Sequence, residues 1–333
     1  MHNIIHHNNL NSVNTFNSNL KHGDINPLLR KSYKQLININ SRFRKNYATT
    51  TSTNFGFNLS TPVKKVVTMK VCDVILPKMV YSVSQTLGSN NFRISNQIID
   101  LSNTGTVISI PSGSYSPEDM VTAVNQALLI DFSNINLQYN STNGKMSFVN
   151  LFGQPFSLDF TFNDTLCNQF SKVGSNLYKD QMTLGWLLGF RKDYKYRTPA
   201  NLPICQPYHE CGTYIRNIID YLYIDSNKYT AEALYDSQGS RYFLLAVNDY
   251  QNNHNIVLVS SFQEETLSNG NLLAKIYSEC CKCSSDEHVE RVYFGPTDIS
   301  KLEITLYDEF GRIVDLNNSD YSFTLELEVL YDL

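Results

Sequence analysis

No run of about 18 apolar residues occurs in this 333-residue chain, so none of it reads as a membrane-spanning helix. The first residues lack the apolar core of a signal peptide, and the chain is expected to be made and used in a cytosolic space. Charge is scarce, at 17% of residues, and tryptophan is reduced to the single Trp186. Gly153, Gly185 and Gly189 do not form a phosphate-binding pattern after a strand, which removes nucleotide chemistry of the P-loop or dinucleotide kind. The seven cysteines, an odd number without a secretory signal, point to free thiols. Neither Cys205/Cys211, with His209 between them, nor Cys280/Cys283, with Cys281 and His288 nearby, has the matching second pair that a zinc site uses. Asp308, Glu309 and Asp315 flank a turn, and solvation of that turn accounts for them more simply than acid–base catalysis. No enzyme activity, cofactor or metal is expected.

What the chain has in plenty is aromatic and β-branched material. Tyr and Phe number 21 and 18, and 42% of residues are hydrophobic, enough for a substantial core. The clearest pattern lies near the C-terminus, where Tyr321, Phe323, Leu325, Leu327, Val329 and Tyr331 alternate with Ser322, Thr324, Glu326 and Glu328. A period of two means a strand with one buried and one wet face, and its strength places it inside a sheet and not at an edge. Upstream, Leu302, Ile304 and Leu306 share a side, Asp308 to Gly311 supply turn chemistry, and Arg312 to Leu316 resume the apolar pattern, which predicts a hairpin.

Taken from the start, residues 1–26 are rich in Asn and His with isolated apolar residues, and are expected to stay disordered, with His2, His6, His7 and His22 solvated. The body is expected to begin near Thr61, with a first core strand over Val63 to Leu76 that Pro77 ends. Short strands follow at Asn91 to Asn96, Ile98 to Ser102 and Thr106 to Ile110. Ser116 as N-cap, Pro117 at the first helical position and acidic Glu118 and Asp119 then open an amphipathic helix carrying Val121, Val124, Leu128 and Leu129. Asn143-Gly144 joins strands at Ile135 to Tyr139 and Lys145 to Asn150. Phe156 to Phe162 alternates, and Leu184 to Phe190 reads as a short helix. Lys192 to Thr213 is a long irregular segment whose Tyr194, Tyr196 and Tyr208 make it a candidate contact loop. Tyr221 to Ile224, Tyr242 to Val247, Ile256 to Phe262 and Leu272 to Tyr277 complete the strands. The expectation is an all-β fold: a jelly-roll β-sandwich with insertions, one or two short helices and an extended N-terminal arm. The arm would span residues 1–60 and the sandwich 61–333, with no internal boundary.

The runs Tyr293-Phe294-Gly295-Pro296, Lys301-Leu302-Glu303-Ile304-Thr305-Leu306, Asp308-Glu309-Phe310-Gly311-Arg312-Ile313-Val314-Asp315-Leu316 and Tyr321-Ser322-Phe323-Thr324-Leu325-Glu326-Leu327 resemble the C-terminal signature of jelly-roll capsid proteins of large nucleocytoplasmic DNA viruses, of the penton and minor-capsid type. In weaker form the resemblance reaches back to about Thr61, and it leaves residues 1–60 uncovered. It implies a structural protein of an icosahedral virion, assembled in the host cytoplasm. A penton at the five-fold vertices would be a homopentamer contacting major capsid proteins; a minor capsid protein would sit beneath or between capsomers.

Charge divides the chain. Residues 1–60 hold seven Lys or Arg against Asp24, a net of +6, leaving 20 basic and 30 acidic residues in 61–333, a net of −10. Arg30, Lys31, Tyr33, Lys34, Arg42, Phe43, Arg44 and Lys45 make the arm both basic and aromatic, suited to ordering against a neighbour. Its surface could be an acidic subunit, an inner membrane or its proteins, or the residues could only solubilise a tail; no specific nucleic acid is expected. A carbohydrate-binding sandwich, with the tyrosines of 192–213 stacking on sugar rings, is the alternative from another class.

Overall fold

The computed structural model describes residues 31–77, 80–96, 105–160, 181–191, 203–206, 209–213, 227–262, 267, 270–277 and 289–331. Their strands are β1 (Lys31–Asn40), β2 (Asn54–Ile75), β3 (Asn91–Ser95), β4 (Thr106–Ser109), β5 (Ile135–Asn140), β6 (Lys145–Asn150), β7 (Ser157–Asp159), β8 (Pro203–Gln206), β9 (His209–Thr213), β10 (Lys228–Thr230), β11 (Tyr242–Asn248), β12 (Leu272–Tyr277), β13 (Arg291–Asp308) and β14 (Ser322–Tyr331). Two helices join them, α1 (Pro117–Leu128) and α2 (Leu184–Leu187), with a 3-10 turn at Ser41–Phe43. The all-β expectation with few helices holds.

The main sheet is antiparallel, in the order β1-β14-β2-β13-β11-β12. Its two longest strands, β2 and β13, cannot stay flat along their whole length. Pro62 and Pro296 each remove a ladder donor, the register slips between Val292 and Thr297, Thr297 and Ile299, and Ile299 and Lys301, and Lys65 adopts φ 58°. The Lys65 amide, turned out of the ladder, donates to Asp298 Oδ1 at 3.0 Å. Beyond the irregularity the first half of β2 runs beside the second half of β13, from Asn54↔Thr305 to Asn58↔Lys301, while the second half of β2 pairs with β14 up to Ile75↔Ser322. Apolar residues of both halves, among them Val66, Met69, Leu325 and Leu327 on one side and Leu245, Leu273, Ile304 and Leu306 on the other, share one core cluster. The bent sheet thus supplies both layers of a sandwich, each buried Leu or Val side chain contributing about 1.5–3 kcal/mol of transfer free energy.

The inward-facing residues of β14 match the period-two pattern, and the strand sits between β1 and β2, inside the sheet as predicted. Its neighbour β1 was not expected there. Residues 31–60, assigned by composition to an arm that orders on assembly, belong to the sandwich: β1 pairs along all of β14, Lys31↔Tyr331 to Asn40↔Ser322, and Ile39 is fully buried. The hairpin expected at 301–316 also differs. β13 runs on to Asp308, and 312–316 is a return loop held to it by Asp308 N–H on Arg312 O and Val314 N–H on Leu306 O, not a strand. Among the described residues, 256–262 form no strand, for the backbone there pairs only through an isolated bridge at His254↔Tyr293 just upstream.

Between β2 and β11 lies an insertion with its own core, a boundary that composition did not mark. Two three-stranded sheets, β10-β6-β5 and β4-β3-β7, enclose Phe92, Phe148, Phe160 and Phe190, whose rings lie 5.2–6.4 Å apart. α1 starts where the sequence places it, with Ser116 Oγ accepting from Asp119 N–H at 3.1 Å, and turns Met120, Val124 and Leu128 into that core. In α2, a Cβ on Gly185 would stand 2.3 Å from the Phe160 ring, so only glycine lets the helix approach so closely. The segment 192–213, expected to be irregular, contains the β8–β9 hairpin.

One buried polar knot ties β13 to β11. The Arg291 guanidinium, fully enclosed, donates to Asp249 Oδ2 and Val247 O, both at 2.9 Å, and to Asn271 O at 3.1 Å, while Tyr293 Oη donates to the same carboxylate. Burial first, then the Asp249 charge, pushes the Tyr293 hydroxyl pKa upward, so it stays a donor. Two stability predictions follow from these contacts. Leu325→Asp, at a fully buried site, should unfold the sandwich, and a variant with unchanged melting by circular dichroism would remove β14 from the core. Asp249→Ala leaves Arg291 enclosed without its counter-charge and should cost about 3–5 kcal/mol in urea denaturation.

Candidate assembly surface

β1 is an outermost strand, so among the described residues no other strand pairs with its outer edge. Natural sheets blunt such edges unless they are used. Here Ile37 and Ile39 face the core, while Leu36 is 64% exposed and Phe43, in the following turn, 78%. Tyr33 and Tyr47 are about half exposed, and the Lys34 and Arg42 side chains stand mostly in water. A basic strip studded with apolar side chains therefore runs along the sheet margin.

What holds this strip in place was not visible in the sequence. Asp320, in the turn before β14, accepts from Ser41 Oγ and from Arg44 Nη1, each at 2.8 Å, and Ser41 Oγ in turn accepts from the Tyr321 amide at 3.0 Å. Arg44 also reaches Ser41 O at 2.8 Å and stacks 3.8 Å from the Tyr47 ring centroid. Its side chain is 5% exposed. Of the residues grouped as a basic contact set, Arg44 is thus an internal anchor and not a presented charge, because a guanidinium that satisfies carbonyls and a carboxylate together gains more inward than in water. Arg42, Phe43 and Lys45 are exposed around it. Lys31 opens β1 opposite Tyr331. Arg30 and the loop residues Tyr194, Tyr196 and Tyr208 lie outside the described residues, as do Cys280 to Cys283.

On the wet face next to the edge, Glu326 lies between Lys34 (2.8 Å) and Lys70 (3.3 Å). The hydrogen bond from Lys34 chiefly holds the Glu326 carboxyl below its usual range and, reciprocally, raises the Lys34 ammonium. Burial, then the nearby Glu326 charge, raises the Cys72 thiol, which donates to Glu326 Oε2 at 3.7 Å. The carboxylates expected to solvate a turn are more committed than that. Asp308 is buried and accepts from the Phe310 and Arg312 amides and from Arg312 Nε at 2.7 Å, organising the return loop.

No protein-family model matches the sequence. No curated protein matches it either. Among solved structures the chain is similar to the mavirus penton protein, at 11% identity and a TM-score of 0.38, over 90% of this chain and 100% of that one. It is likewise similar to a chain of the Sputnik virophage solved by cryo-EM, at 12% identity and a TM-score of 0.35, over 90% of this chain and 98% of that one.

The Lys34–Glu326–Lys70 arrangement gives a pH prediction. A lowered Glu326 pKa contributes stability that is present above the ordinary value of 4.5 and fades as pH falls through the lowered one. The raised Lys34 pKa contributes below 10.5 and fades above it. Glu326→Gln should therefore melt below the parent at neutral pH, and the gap should close on acidification below about pH 4.5; a gap that persists in acid would mean that the carboxylate charge is not what joins β1 to β14.

Proposed function

We propose that this chain is a structural protein of an icosahedral virion, a penton that sits as a homopentamer at the five-fold vertices beside major and minor capsid proteins. The observation that carries the reading is the outer margin of β1: an outermost strand bearing exposed Tyr33, Leu36, Phe43 and Tyr47 among Lys34 and Arg42, anchored from behind by Arg44 and Asp320. A shell subunit must bury part of its surface against neighbours in repeated, heterologous contacts, and an apolar-studded margin suits that. Charge supports the same reading, since residues 1–60 carry a net of +6 and the remainder a net of −10, which favours contact with the body of an adjacent subunit. The C-terminal resemblance agrees, and its runs occupy β13, the return loop and β14, the middle of the sandwich. The basic residues before β1 are assigned to neighbouring subunits or to the inner membrane beneath the shell.

Mass photometry of the purified protein is the test. Pentamers are expected, and Leu36→Lys with Phe43→Ala should reduce them to monomers without changing the melting temperature, because both side chains are already in solvent. A parent protein that is monomeric yet found in particles away from the vertices is a minor capsid protein; one that never enters particles is not a virion protein.

A further inference from the structure

The insertion and the sandwich do not close completely on each other. A cleft of about 540 Å³ opens between them, walled by Trp186, Tyr242, Phe262 and Phe310 and edged by Arg191, Asp236, Arg241 and Glu309. It shares Gln181, Gly239 and Phe310 with a second, smaller cavity of about 40 Å³ whose lining includes Ser82, Asp315 and Arg312. The mouth is of the size that small ligands occupy.

The polar groups of this space are under-used by the protein itself. Arg312 has a side chain 10% exposed; its Nε is committed to Asp308, yet its Nη1 is buried with no partner. Ser82 Oγ, on the same small cavity, is buried with no partner, and so is Nη1 of Arg191 at the cleft, whose guanidinium lies 3.6 Å from the Trp186 ring centroid. Buried donors without acceptors are costly, so Arg191 Nη1 at the cleft, with Ser82 Oγ and Arg312 Nη1 on the adjoining cavity, mark places where something else supplies oxygens. Charge narrows what that is. Two guanidiniums (Arg191, Arg241) stand with two carboxylates (Asp236, Glu309) on the cleft, and the adjoining cavity adds Arg312 with Asp308 and Asp315; burial, then the Asp308 charge, raises the Glu309 pKa. A phosphate or nucleotide would meet as much repulsion as attraction. A neutral molecule that both donates and accepts many hydrogen bonds and has an apolar face for an aromatic wall meets none.

We infer that this cleft is a binding site for a neutral carbohydrate of one or two sugar units, its ring lying against the aromatic wall and its hydroxyls answering Arg191, Arg241, Asp236 and Glu309. The site is separate from the β1 edge and independent of the assembly reading, so a shell protein would carry it as a glycan contact.

Trp186 is the chain's only tryptophan, so intrinsic fluorescence reports on the cleft directly. Glucose, galactose, N-acetylglucosamine and lactose would be titrated into the purified full chain, with sialic acid as the anionic comparison, and saturation-transfer NMR would be run in parallel. A saturable fluorescence change with at least one neutral sugar is expected, weakened about tenfold in Arg241→Met, whose side chain is exposed. Leu36→Lys, on the separate β1 edge, should bind normally. No saturable response by either method, or a response to sialic acid alone, would overturn the inference.

Discussion

The fold depends on an interruption. Had β2 and β13 paired in even register along their whole length, they would have made one broad sheet with an apolar face that nothing covers. Proline on both strands, repeated register slips and a left-handed Lys65 release the ladder in the middle, and the two halves turn their apolar faces toward one core. The hydrogen bond from the Lys65 amide to Asp298 satisfies the donor that the bend sets free. Everything else attaches to this frame: β14 and β1 extend one layer, β11 and β12 the other, and the insertion hangs from the gap between β2 and β11.

How much of this was legible depended on how locally each element is determined. α1 is announced by Ser116, Pro117 and two acids in four consecutive residues and begins where they say. The β5–β6 turn is written in Asn143-Gly144, and Gly144 takes the positive φ the turn requires. β14 was legible because from Tyr321 to Val329 its residues alternate between apolar and polar. β1 was not, since only Ile37 and Ile39 of its residues turn firmly inward while Leu36 and Tyr33 are left exposed, so the strand has no clean period and looks like a charged tail until its partner is known. The insertion was missed for a related reason. Its aromatic core is drawn from short strands with the same composition as the sandwich, and two cores of like composition differ only in which residues meet.

The candidate surfaces were harder still. Lys34, Arg42 and Phe43 could be picked out by type, but separating Arg44 from them required Asp320, far along the chain in a turn that seemed merely polar. The cleft has no local signature at all, because Trp186, Arg241 and Glu309 come from three elements and acquire a common role only when the insertion packs beside the return loop.

The pairing of β1 with β14 also sets a clock. Ser32 and Glu328 share a hydrogen bond across a separation of 296 residues. A ribosome therefore releases β1 long before the strand that must receive it exists, while the insertion, built from nearer neighbours, can settle meanwhile. The sandwich closes late, when β14 emerges, and only then does β1 acquire a fixed outer edge. A surface that would be hazardous on a nascent chain is thus withheld until the body behind it is finished, which couples readiness for association to completion of folding.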